Sequence, residues 1–183
     1  MNTNYFKKTS FLLLLAGLVF SFSSYGQIAG WNVDLEQDCN STLSDMIERV
    51  PKLQTYKDKS FGYAIFPKIT KAGLVVGGAG GKGLVYQNKV IKGTSKLGQG
   101  SFGLQAGGQQ YGEVIFFENQ DSYNRFTSGK LKFNAQATAT AITVGATADF
   151  SYQDGVAVFT MAKGGLMVEA SLGGQHFSFE PVE

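Results

Sequence analysis

The sequence predicts a strand-dominated α+β domain, a twisted antiparallel sheet with helices at its N-terminal side and one short helix in mid-chain. A closed barrel is the alternative architecture. Three observations carry the prediction. Apolar residues recur at helical spacing in only two short places. From Ser60 onward the chain breaks into brief β-rich runs divided by Gly, Pro and Asn. The stretch FNAQATATAITVGATADF opens with strict alternation, Phe133, Ala135, Ala137, Ala139 and Ala141 on one side and Asn134, Gln136, Thr138 and Thr140 on the other, the signature of a long strand.

Taken in order, Lys7 and Lys8 precede an apolar run from Phe11 to Phe20, followed by small and polar residues through Gly26. This is the pattern of a secretory signal peptide over residues 1–26, with Ser24 and Gly26 at the small-residue positions before the cut. The run is shorter than the roughly 20 residues that cross a bilayer. The expected destination is secretion across the inner membrane, with a periplasmic or peripherally membrane-associated protein as the product. Residues 27–183 then form a single domain, since no linker, repeat or low-complexity tract divides them. Its one cysteine, Cys39, can form no internal disulfide and reads as a small buried residue.

Leu43, Met46, Ile47, Val50 and Leu53 recur every three or four residues, so a helix with one apolar face is expected from about Asn40. Pro51 interrupts it and predicts two pieces, the first stopping near Arg49. Short strands are expected at 61–66, 72–77, 83–90, 101–108 and 114–117. A surface helix follows over Asn119 to Ser128, with Tyr123 and Phe126 facing inward, and the last strands at 155–160, 166–171 and 175–179.

Charge is segregated along the chain. The expected mature protein is formally neutral, yet residues 52–96 carry nine lysines and one aspartate, whereas the flanking segments are each net acidic. Within that basic block, FPKITKAGLVVGGAGGKGLVY (66–86) holds six glycines with Lys68, Lys71 and Lys82 and no acid. Glycine lets backbones approach closely, and each lysine is a long-stemmed cation, so the pattern suits an anionic surface better than a catalytic pocket.

Three segments also resemble one known family. FPKITKAGLVVGGAGGKG is similar to the Phe-Pro, Lys-Ala-Gly and Gly-Gly-x-x-Gly-x-Gly succession of the SYLF domain. SFGLQAGGQQYGEVIFFEN resembles its central strand and the apolar strand after it, and MAKGGLMVEASLGG its closing Lys-Gly-Leu segment. The resemblance runs from about Ser41 to Phe179. It implies phospholipid binding without catalysis. The residues expected to meet an anionic phospholipid or membrane surface are Lys68, Lys71 and Lys82, assisted by Lys52, Lys57 and Lys59. Gly77, Gly78, Gly80, Gly81 and Gly83 are expected to shape the loop between them. Phe61, Tyr63 and Phe66 are either interfacial or core aromatics, with core the better default. The rival expectations are an envelope scaffold that binds a protein partner, as eukaryotic relatives do with actin, and a carrier of a single lipid in an internal cavity.

Other chemistries fit poorly. Gly78, Gly80 and Gly83 spell GxGxxG, but a strand pair follows instead of a helix and the next acid is Glu113, so no dinucleotide cofactor is expected. A phosphate-cradling loop fails because Val76 replaces its first glycine and Gly83 its hydroxyl residue. His176 and Cys39 are the only residues of their types and lie far apart, which gives no metal spacing and no nucleophile–base pair. Acid pairs such as Glu113 with Glu118, and Asp149 with Asp154, read as strand ends and turns. No cofactor, metal or catalytic residue is assigned, and nucleic acid is not expected of a secreted chain without net charge.

Overall fold

The computed structural model describes residues 32–73, 76–102, 108–133, 138–142, 151–163 and 170–182. The signal-peptide segment, most of the strand expected at 101–108, the start of the alternating alanine strand and most of 166–171 lie outside the described residues. Helix α1 (Val33–Arg49) and helix α2 (Leu53–Lys59) come first. Strands β1 (Gly62–Gly73), β2 (Val76–Gln87), β3 (Val90–Phe102) and β4 (Gly108–Phe117) follow, then helix α3 (Gln120–Thr127). Strands β5 (Thr138–Ala141), β6 (Val156–Ala162), β7 (Ala170–Ser171) and β8 (Gln175–Pro181) complete the chain.

The helices form where the sequence supplies ends for them. Asn32 accepts a hydrogen bond from the Leu35 amide, with Asp34 and Glu36 in the first turn of α1 where the backbone dipole favours acids. Pro51 then separates α1 from α2, as its missing N–H requires. Helix α3 carries a capping box in which the Asn119 side chain accepts from the Ser122 amide and the Ser122 hydroxyl faces the Asn119 amide.

The strands are fewer and longer than the sequence suggested in this half. The segment expected as a strand at 72–77 contains the end of β1 and the start of β2. The one expected at 83–90 crosses the β2–β3 turn, where Asn88 and Lys89 take φ of 51° and 66°. Two adjacent left-handed residues match the right-handed twist of a tight hairpin.

The eight strands among the described residues join in the order β7-β5-β6-β4-β1-β2-β3-β8, antiparallel except for β5 against β6. The order has two ends, so the sheet is not a closed barrel, but it is strongly curled. Edge strands β7 and β8 are separated in sequence only by Leu172, Gly173 and Gly174, which brings opposite edges close together. Side chains also meet across the curl: Phe66 of β1 and Phe177 of β8 are 5.8 Å apart between ring centres.

The two sheet faces carry two cores. On the outer face, Cys39, Leu43 and Met46 of α1 and Leu53 and Tyr56 of α2 cover Tyr63, Ile65, Leu84, Tyr86, Val114 and Phe116. On the inner face Ala64, Phe66, Val85, Ile115, Phe117 and Val158 gather around α3. Phe126 of α3 plugs this end of the interior, 4.9 Å from Phe117 and 4.8 Å from Phe177. Among the described residues no helix is long and apolar enough to cross a membrane.

Candidate functional site

A bulge in β1 decides which way the basic residues point. Ala64 and Phe66 belong to the inner core and Tyr63 and Ile65 to the outer one, but Ile69 is again inner. The register of β1 shifts between Ile65 and Lys68 against β2, and between Phe66 and Ile69 against β4. Pro67 sits at this shift, where a residue without an N–H costs no ladder hydrogen bond. Strict alternation would have placed Lys68 inside with Phe66; the extra residue turns it outward.

Outward Lys68 pairs in register with Lys82 of β2, and Lys82 pairs with Lys96 of β3. Three exposed lysines therefore stand side by side on three neighbouring strands. With strands about 4.8 Å apart, the row is roughly 10 Å long. Lys96 Nζ also meets Glu180 Oε1 of β8 at 2.9 Å, an exposed pair of small energetic weight.

The other expected lysines lie elsewhere. Lys71 pairs with Ala79, an inner-face residue, and so projects to the opposite face from Lys68 and Lys82. Lys57 and Lys59 lie on α2 and Lys52 on the turn before it. That helix leads into the start of β1, about 20 Å of strand from Lys68. There Lys89 Nζ reaches Asp58 Oδ1 at 2.8 Å, which balances part of the local positive charge.

The glycines form strand and not loop, which corrects the expectation for Gly77, Gly78, Gly80, Gly81 and Gly83: all five lie within β2, and none has a positive φ. Two are required by close approach. A Cβ on Gly83 would stand 2.2 Å from the Ile65 carbonyl oxygen and 2.7 Å from the Phe66 ring, and one on Gly81 2.7 Å from the Lys68 carbonyl oxygen. Gly78 and Gly80 are exposed and pair with exposed Gly100 and Gly98. The outer face beside the lysine row is thus nearly bare of side chains. Tyr63 and Phe66 are buried in the two cores and Phe61 is half-buried against the inner one, so these rings are packing residues.

Cys39 is buried, with its thiol 3.5 Å from the Ile65 carbonyl oxygen, and burial pushes its pKa up to about 12. His176 is exposed. Glu113 departs from its reading as a strand-end residue: it lies within β4 and is fully buried on the inner face. Gln175 Nε2 donates to its Oε2 at 3.1 Å, and burial raises the carboxyl to about 7 against that hydrogen bond. The sequence held a signal for this, because Glu113 alternates in phase with Tyr111, Ile115 and Phe117. Lys96 had a weaker one, since only the register across two hairpins aligns it with Lys82.

Comparison with known proteins agrees with the sequence resemblance. Residues 98–181 match the family model described as Ysc84, Las17-binding protein actin regulator, which is the SYLF domain. The chain is also similar to Beta cell expansion factor A of Aeromonas veronii, at 24% identity over 139 residues, 75% of this chain. It spans about half that relative's length, 53%. The family match begins inside β3 and takes in β4, the inner-face acid and the last strands, so the chain is similar to the SYLF domain over its second half.

Proposed function

We propose that this protein is a non-enzymatic, secreted, periplasmic or membrane-peripheral SYLF protein that binds anionic phospholipid surfaces, and that Lys68, Lys82 and Lys96 make the contact. The observation that carries the reading is the register that lines these lysines up on one exposed face. Similarity to the SYLF family is consistent with lipid binding in general. Near an anionic surface each lysine contributes roughly 1 kcal/mol, so the row supplies about 3 kcal/mol before screening. That suffices for reversible attachment. The bare glycine surface beside the row lets headgroups approach the backbone without steric obstruction.

Cosedimentation with vesicles tests the proposal. Binding should require anionic lipid, weaken with salt and be lost in Lys68→Glu/Lys82→Glu/Lys96→Glu. Undiminished binding by the triple variant would remove the row from the site. The description of the family as an actin regulator favours a second reading, a protein-partner scaffold. That reading predicts no vesicle binding under any condition and a saturable complex with a protein.

A further inference from the structure

The sheet interior has two unlike halves. Around α3 it is aromatic, whereas beyond Phe66, next to Ile69 and Leu97, it also holds small and polar side chains: Ala79 on β2, Gln99 on β3, Tyr111 and Glu113 on β4, Thr160 on β6 and Gln175 on β8. Glu113 and Thr160 are register partners on neighbouring strands, which places their Cβ atoms about 5 Å apart on this face. Gln175 reaches them from the far wall, donating to Glu113 Oε2 and hydrogen-bonding Tyr111.

Three oxygens in this group are buried and have no hydrogen-bond partner among the described residues: Glu113 Oε1, Gln175 Oε1 and Thr160 Oγ1. Unmet buried acceptors are costly and rare in native interiors. Among the described residues the groups that face Glu113 are Tyr111 from its own strand, Thr160 from β6, Gln175 from β8 and Phe66 from β1, and none of these is a cation. A guest that completes the group must donate hydrogen bonds, and it must be positive to hold Glu113 ionised. A divalent metal is poorly matched to a single carboxylate: among the described residues no cluster of three His, Cys, Asp or Glu exists. An ammonium group has a single charge and enough donors for all three oxygens.

We propose that this polar half of the sheet interior is a binding site for a primary ammonium group, received by Glu113 Oε1, Gln175 Oε1 and Thr160 Oγ1. The guest is either the ammonium ion or the head of a larger amine such as ethanolamine. It competes with the proton on Glu113, so its binding lowers the carboxyl's titration midpoint. The site does not depend on the lysine row, which lies on the other face of the sheet.

Carboxyl-carbon NMR of the whole protein tests this directly, in amine-free buffer and then with ammonium chloride, ethanolamine hydrochloride or potassium chloride at equal ionic strength. The Glu113 resonance is assigned with Glu113→Gln or, if that variant fails to fold, by its displacement in Gln175→Leu. A midpoint lowered by about one pH unit, a tenfold bias towards the ionised form, is expected with the amines and not with potassium. Thr160→Val should reduce the shift. A larger effect of ethanolamine than of ammonium identifies the head of a larger amine as the guest; the reverse identifies the free ion. A midpoint that no amine moves, or that potassium moves equally, overturns the proposal and leaves only water or a proton in the site.

Discussion

Gln175 on edge strand β8 donates a 3.1 Å hydrogen bond to Glu113 on β4, four places away in the strand order, so the bond crosses the interior of the curled sheet. It ties the last strand to the middle of the sheet, and it leaves a carboxyl in surroundings that resist its ionisation. The Glu113 carboxyl is pushed from 4.5 up to about 7 by burial.

A folded-state pKa above the unfolded one means that the folded protein holds the extra proton between those values. Stability should therefore be greatest below about pH 4.5 as far as Glu113 is concerned, fall as pH rises through the window, and level off above about pH 7. The contribution is on the order of 3 kcal/mol. Urea unfolding in amine-free buffer measures it: Glu113→Gln should abolish most of the slope between pH 5 and pH 8, and a slope equal to that of the native protein would show that another group is responsible.

Gly83 and Gly98 lie in neighbouring strands and should respond oppositely to a methyl group. An alanine Cβ at Gly83 would meet the Ile65 carbonyl oxygen and the Phe66 ring, whereas at Gly98 nothing stands within 4 Å. Gly83→Ala should cost about 3 kcal/mol by overpacking, and Gly98→Ala should be neutral or stabilise by up to about 1 kcal/mol. Thermal melts of the two variants decide the matter.

The Asn119 cap holds α3 in the mouth of the inner core through its 3.0 Å bond from the Ser122 amide. Asn119→Ala should destabilise the protein by about 1 kcal/mol. The same variant should leave vesicle binding intact, because α3 packs on the inner face and the lysine row is outside.

Cys39 offers a probe of the outer core. Its buried thiol, with a pKa near 12, should resist thiol reagents at pH 8 in the native protein and react at once in denaturant. Rapid labelling of the native protein would mean that α1 detaches from the sheet.

Much of this molecule is legible locally. The apolar spacing of Leu43, Met46 and Leu53, the break at Pro51 and the Asn119 start of α3 all follow from short-range rules, because helix period and capping act within a few residues. With the brief β-rich runs after Ser60 they gave the α+β class and its strand dominance. The glycines of β2 are legible as positions of close approach but not as strand, since density of glycine does not distinguish a turn from a strand pressed against its neighbour.

What the sequence by itself determined is therefore the class of fold, the basic block of residues 52–96 and the family resemblance. Only the tertiary structure decided which lysines stand together. The bulge at Pro67 turned Lys68 outward and left Lys71 on the inner side, and the register of two hairpins brought in Lys96. It also decided that Glu113 is enclosed, by curling β8 back over the face on which that acid lies. The physical reason is the two-residue period of a strand: one extra residue reverses every side chain beyond it, and neither its effect on pairing nor the far wall of the curl is encoded in any short stretch of sequence.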